Sequence, residues 1–172
     1  MLLQAIFIGV GIFEQLVQII QQAADVVASQ GGMLLAISSI KVLASMLRNS
    51  TYSKNLFVER IGYRMFFDVL NTITEPNVKF IETLLELVVE SDEKRVDILI
   101  VSNPAAAVML LNYAAVLKSP DLQLLIVSRI NSLVAKKMHS RIQCSSFGML
   151  EAVLTVLGTS PNIREDVAGW YT

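Results

Sequence analysis

Apolar residues recur along this chain at intervals of three and four. Leu16, Ile19, Ile20, Ala23, Val26 and Val27 form one such series. That spacing follows the 3.6-residue turn of a helix and gives it one apolar stripe. Gly31-Gly32 is expected to break this first helix, and Leu34 to Leu47 to form the next. Asn49 to Ser53 reads as a polar loop. Asn55 to Ile73 reads as a third helix, with Phe57, Ile61, Met65 and Val69 on its stripe. Thr74-Glu75-Pro76-Asn77 is a turn, because proline disfavours helical geometry in the residue before it. Asn77 then caps a fourth helix, Val78 to Val89, by accepting from its first free N–H groups.

Ser91 to Arg95 is a charged loop. The β-branched run Val96 to Val101 has strand composition, but in so helical a chain it is read as a short helix. Asn103-Pro104 opens a helix that reaches about Lys118, with proline at the first turn, where its missing N–H costs nothing. Ser119-Pro120 ends it, Asp121 caps Leu122 to Met138, and Ser140 to Thr159 is the last long helix, interrupted near Ser145-Ser146.

The helices recur as pairs. Ser38 to Leu43, Val78 to Leu85 and Leu122 to Val127 align as first helices. Phe67 to Leu70, Ala115 to Leu117 and Thr155 to Leu157 align as the ends of second helices. Val69, Val116 and Val156 then stand 47 and 40 residues apart, the period of HEAT and armadillo repeats. The fold class expected is all-α, a right-handed α-solenoid of armadillo/HEAT-like repeats spanning residues 1–172 as one domain. A single helical pair cannot bury its apolar face, and stacking supplies the missing cover. The expected core is Leu43, Ile61, Met65, Val69, Leu84, Val88, Leu111, Val116, Leu125, Ile130, Leu150 and Leu157.

Composition agrees with a packed helical chain. Of 172 residues 53% are apolar, with 4 Pro and 8 Gly, which excludes a disordered polymer. The net charge of −1 offers no global field for nucleic acid or anionic lipid. A lone cysteine, Cys144, forms no intrachain disulfide, and a reducing, cytoplasmic setting follows. Leu2 to Ile20 is strongly apolar but has no basic flank, since the first lysine is Lys41. Gln4, Glu14, Gln15 and Gln18 interrupt it, so no stretch approaches the ~20 apolar residues of a membrane span. It reads as a buried helix. Its apolar character also suggests a chain excised from a longer solenoid, because a terminal repeat needs a polar outer face.

Candidate chemistry is sparse. His139 is the only histidine and neighbours Lys136, Lys137 and Arg141, which suits a solvated cation near a helix end. No metal-ligand spacing is present, Gly9-Val10-Gly11 lacks the third glycine of a phosphate loop, and the basic segment has no aromatic before Phe147. The expectations are therefore no enzyme, no catalytic residue, no cofactor, no metal, no nucleic acid and no small-molecule substrate. Gly62, like Gly9 and Gly11, reads as a point of close helix approach. Charge segregates: Glu82, Glu86 and Glu90 recur every four residues on the fourth helix, and Lys136, Lys137 and Arg141 reverse the sign further on. Each set is either a solvated face or a protein-binding surface, and these six residues are the candidate binding positions, with other proteins as partners.

The string Phe57-Val58-Glu59-Arg60-Ile61-Gly62-Tyr63-Arg64-Met65-Phe66-Phe67-Asp68-Val69-Leu70 resembles the armadillo-like region upstream of the BEACH domain in the large BEACH scaffold proteins, the neurobeachin, Alfy and lysosomal-trafficking-regulator types. Ala168-Gly169-Trp170 is similar to the Gly-Trp that closes helices there. As a pattern the resemblance covers residues 35–172, and only these two strings are specific. No BEACH, PH-like or WD40 segment accompanies them. The resemblance implies a segment of a large cytosolic scaffold acting in membrane trafficking or autophagy, and it supplies no catalytic positions. The alternative is a peripheral membrane-associated module anchored by Leu2 to Ile20.

Overall fold

The computed structural model describes residues 11–25, 30–92, 95–135 and 148–159. These are mainly helical. The chain divides into two compact units, Met1–Leu87 and Val88–Thr172.

In the first unit α1 (Ile12–Asp25) packs along α2 (Gln30–Leu47). Phe13, Leu16, Val17, Ile20 and Ala23 face inward at helical spacing, while Glu14, Gln15, Gln18, Gln21 and Gln22 face water. The described part of the N-terminal apolar stretch is thus a core helix whose apolar side is already covered. The Gly31-Gly32 pair does not terminate a helix; it sits in the first turn of α2, where fewer intrahelical bonds depend on it.

The third helix is two helices. α3 (Thr51–Arg60) and α4 (Gly62–Leu70) meet at Gly62, whose φ is +75°. A Cβ built there meets nothing within 4 Å, so the glycine serves the left-handed backbone and not a close helix approach. The break resets the helical phase. Phe66, Val69 and Leu70 turn inward, Met65 is 50% exposed, and Ile61 is half-buried. The Asn49 to Ser53 loop is shorter than its composition suggests, because Ser50 caps α3 by accepting from the N–H of Ser53 at 3.1 Å.

Asn77 caps α5 (Val78–Leu85) as expected: its Oδ1 accepts from the N–H of Phe80 at 2.9 Å. The helix ends at Glu86 and does not reach Val89. Phe80, Ile81, Leu84 and Leu85 are buried, and α5 packs on α2.

The second unit opens with an antiparallel hairpin, β1 (Val89–Asp92) and β2 (Arg95–Val101), in the register Val89↔Val101 and Glu90↔Ile100 with an irregularity after Ser91. The reading of Val96 to Val101 as a helix and of Ser91 to Arg95 as a loop is therefore corrected. Four of the last six residues of β2 are Val or Ile, and their stiff χ1 suits a pleated ribbon. The strand pair is the whole of the sheet among the described residues.

Ser102 and Asn103 donate their N–H groups to the carbonyl of Val88, at 2.9 and 3.3 Å. They lead into α6 (Pro104–Val116), where Asn103 Oδ1 accepts from the N–H of Ala106 at 3.3 Å. Ala106, Ala107, Met109, Leu110, Leu111, Tyr113 and Ala114 are buried, so α6 is enclosed on most sides. Its neighbours are α7 (Pro120–Ala135) and α8 (Met149–Thr159). Ser119, not Asp121, caps α7, its Oγ accepting from the N–H of Leu122 at 3.4 Å. Gln123 lies one turn in and donates from Nε2 to the Leu117 carbonyl at 2.8 Å, satisfying the backbone where α6 ends. Gly148, at φ +72°, precedes α8. The expected ends at Met138 and Ser140, and the break at Ser145-Ser146, lie outside the described residues.

Of the expected core, Leu43, Val69, Leu84, Val88, Leu111 and Ile130 are buried. Leu125 and Leu157 are half-buried. Val116 is 55% exposed because it is the last residue of α6, where the chain turns extended at Leu117, and Leu150 is 71% exposed on the outer side of α8. Val69 and Val156 are buried and Val116 is not, so the 47- and 40-residue spacing does not mark one repeated core position.

Candidate protein-interaction faces

The acidic set does not form one helical stripe. Glu82 is exposed on α5, with Lys79 three residues before it on the same helix. Glu86 is the C-cap of α5 and pairs with Arg48 at 3.8 Å, both side chains being close to half exposed. Glu90 lies in β1, opposite Ile100. The i, i+4 spacing outruns the helix that was to carry it, because α5 is only eight residues long. Lys136, Lys137 and Arg141 lie outside the described residues, as do His139 and Cys144. No group of three or more His, Cys, Asp or Glu side chains able to hold a metal is present among the described residues.

Charge composition drew attention to these positions, but exposed apolar side chains stand on several helices, among them Tyr52, Val58, Met65, Val78 and Val116, and on α2 and α8 they stand in register. On α2 the outward residues include Leu34, Leu35, Ser38, Lys41, Val42 and Ser45. Leu34 is 60% exposed, and Leu35 and Val42 are each about half exposed. Leu34, Ser38 and Val42 stand one above the other at intervals of four. The Ser38 hydroxyl donates to the Leu34 carbonyl at 2.8 Å, and the Ser45 hydroxyl to the Lys41 carbonyl at 2.9 Å. Both hydroxyl protons are thus directed into the helix itself. Lys41 is the one charged residue within α2, and Arg48, exposed just past its end, adds a second cation that pairs with Glu86.

The outer face of α8 has the same construction. Leu150, Leu154 and Gly158 form one column, and Glu151, Thr155 and Thr159 the next. Leu154 is 59% exposed. The Thr155 hydroxyl donates to the Glu151 carbonyl at 2.9 Å, and that of Thr159 reaches the Thr155 and Val156 carbonyls at 3.2 and 3.0 Å. Glu151 is the one charged residue within α8. Sequence reasoning placed Leu150 in the core because it treated every leucine on a helical stripe as inward. The inward stripe of α8 is Met149, Ala152 and Val156, and the signal for it was the single small residue between two larger ones.

Tyr113 in α6 is the remaining polar feature. Its hydroxyl is buried and has no hydrogen-bond partner among the described residues, and burial pushes its ionisation well above the ordinary tyrosine value. No helix among the described residues is long and apolar enough to cross a membrane.

No family model matches this chain, and no solved structure matches it.

Proposed function

We propose that this chain is a non-enzymatic protein-interaction scaffold, built as an armadillo/HEAT-like array of helical pairs. The observation that supports this most is the apolar outer face of α2 with its counterpart on α8. Exposed leucines in register on a helix lower the free energy when another helix covers them, and each buried leucine contributes about 1.5–3 kcal/mol. Helices adjacent in sequence also pack together within each unit, α1 on α2 and α6 on α7, which is how a solenoid repeat is assembled. The resemblance of Phe57 to Leu70 to the armadillo-like region of BEACH scaffolds extends the proposal: a segment of a large cytosolic protein serving membrane trafficking or autophagy.

Of the two readings, the membrane-anchored module has less support, because Phe13, Leu16, Val17 and Ile20 already pack inside the first unit. The test is quantitative affinity capture with the wild-type chain and with Leu34→Asp/Val42→Asp and Leu150→Asp/Leu154→Asp. A scaffold keeps its helical circular dichroism in both variants and loses defined partners in at least one. Identical partner sets from all three folded proteins would end the proposal.

A further inference from the structure

The two outward faces complement each other. α2 offers Leu34, Leu35 and Val42 with Lys41, and with Arg48 just past its end, while α8 offers Leu150 and Leu154 with Glu151, the one charged residue within Met149–Thr159. On both, the hydroxyl protons are committed to the helix's own carbonyls, so docking strands no hydroxyl donor away from water. Both faces are ridged at intervals of four, the arrangement that lets one helix settle into the grooves of another.

Resting on the scaffold reading above, we propose that the occupant of the α2 face is the α8 face of a second copy of this chain. The contact joins two different surfaces, one from each unit of the chain. It brings Lys41 of one copy towards Glu151 of the next, whereas α2 against α2 would oppose two lysines and α8 against α8 two glutamates. Like charges brought together across an interface disfavour the wrong pairings.

The experiment is sedimentation of the purified chain across about a hundredfold concentration range. Wild type should show a mass that rises with concentration. Leu34→Asp blocks only the α2 face and Leu154→Asp only the α8 face, so each alone should remain monomeric. Mixed together, they should form a dimer and nothing larger, since one good α2 face meets one good α8 face. As both residues are exposed, the fold should tolerate the changes, and unchanged helical circular dichroism would confirm it. Charge reversal provides an independent check that leaves the apolar contact intact. Lys41→Glu or Glu151→Lys alone should weaken association about two- to fivefold at low salt, and the double variant should regain it. A wild-type chain that stays monomeric throughout, or a mixture of the two aspartate variants that does not pair while wild type associates, overturns the α2–α8 contact. Partner capture from cells by a monomeric chain would leave the scaffold reading standing without it.

Discussion

Replacing Phe57 by alanine should unfold the first unit's core. The Phe57 ring is completely buried. It meets Phe13 edge-on at 5.5 Å, Phe66 edge-on at 5.9 Å, and Tyr63 at a tilt at 5.3 Å. Three helices, α1, α3 and α4, therefore share one ring. A buried phenylalanine removes about 150–250 Å² from water, which at about 25 cal/mol per Å² is roughly 4–6 kcal/mol for the whole ring. Alanine retains part of that area, but the cavity left by the ring adds a cost of its own, and about 4 kcal/mol is the expected loss. In a unit of this size each kcal/mol moves the midpoint by about 4–8 °C, so the variant should melt more than about 15 °C below wild type or show no cooperative transition. Phe57→Leu fills most of the space and should cost about 1–1.5 kcal/mol. Urea titration followed by helical circular dichroism measures both. A loss under about 1.5 kcal/mol for Phe57→Ala would show that the rings do not hold these helices together.

Removing the Asn77 cap with alanine should cost about 1 kcal/mol, and Asn77→Asp should cost far less because the carboxylate also accepts from Phe80; equal losses in urea titration would place the stability elsewhere. Gly62→Ala should cost about 1–2 kcal/mol through its positive φ, with Gly62→Asn milder, since there is open space for either side chain. Tyr113→Phe should be neutral or slightly stabilising, because the buried hydroxyl has no described partner to lose. Tyr113's own contribution to stability should be constant below pH ~10, where an unfolded tyrosine begins to ionise. It should fall at higher pH, because the native state holds its proton longer than the unfolded one. Tyr113→Phe should remove that part of the alkaline decline.

Helix identity was legible wherever a cap and a stripe coincided. Asn77 and Asn103 both accept where their positions before helical runs implied, and Ala, Leu and Met fill the interiors. Phase was not legible, because nothing in the Phe57 to Leu70 string distinguishes a glycine inside a helix from one at φ +75°. That single dihedral moved Met65 to the surface. The hairpin was missed for a different reason: a short β-branched run is compatible with either state until a partner strand is found, and its partner, Val89 to Asp92, straddles the expected end of the fourth helix and the start of a charged loop. For the candidate interaction surface the signal was weaker still. Exposed leucines look in sequence like buried ones, and only the packing shows that α2 and α8 each have more apolar surface than their neighbours cover.

The bridging of α1 to α3 has a kinetic consequence. Glu14 reaches Arg60 at 3.4 Å across 46 positions of chain, beside the Phe13–Phe57 ring contact. Closing a loop of that length costs about 3 kcal/mol in chain entropy before any contact repays it. The β1–β2 hairpin closes over a few residues and belongs to the microsecond class of events. The ring contacts of the first unit therefore carry a larger loop-closure cost than the strand pairing that opens the second.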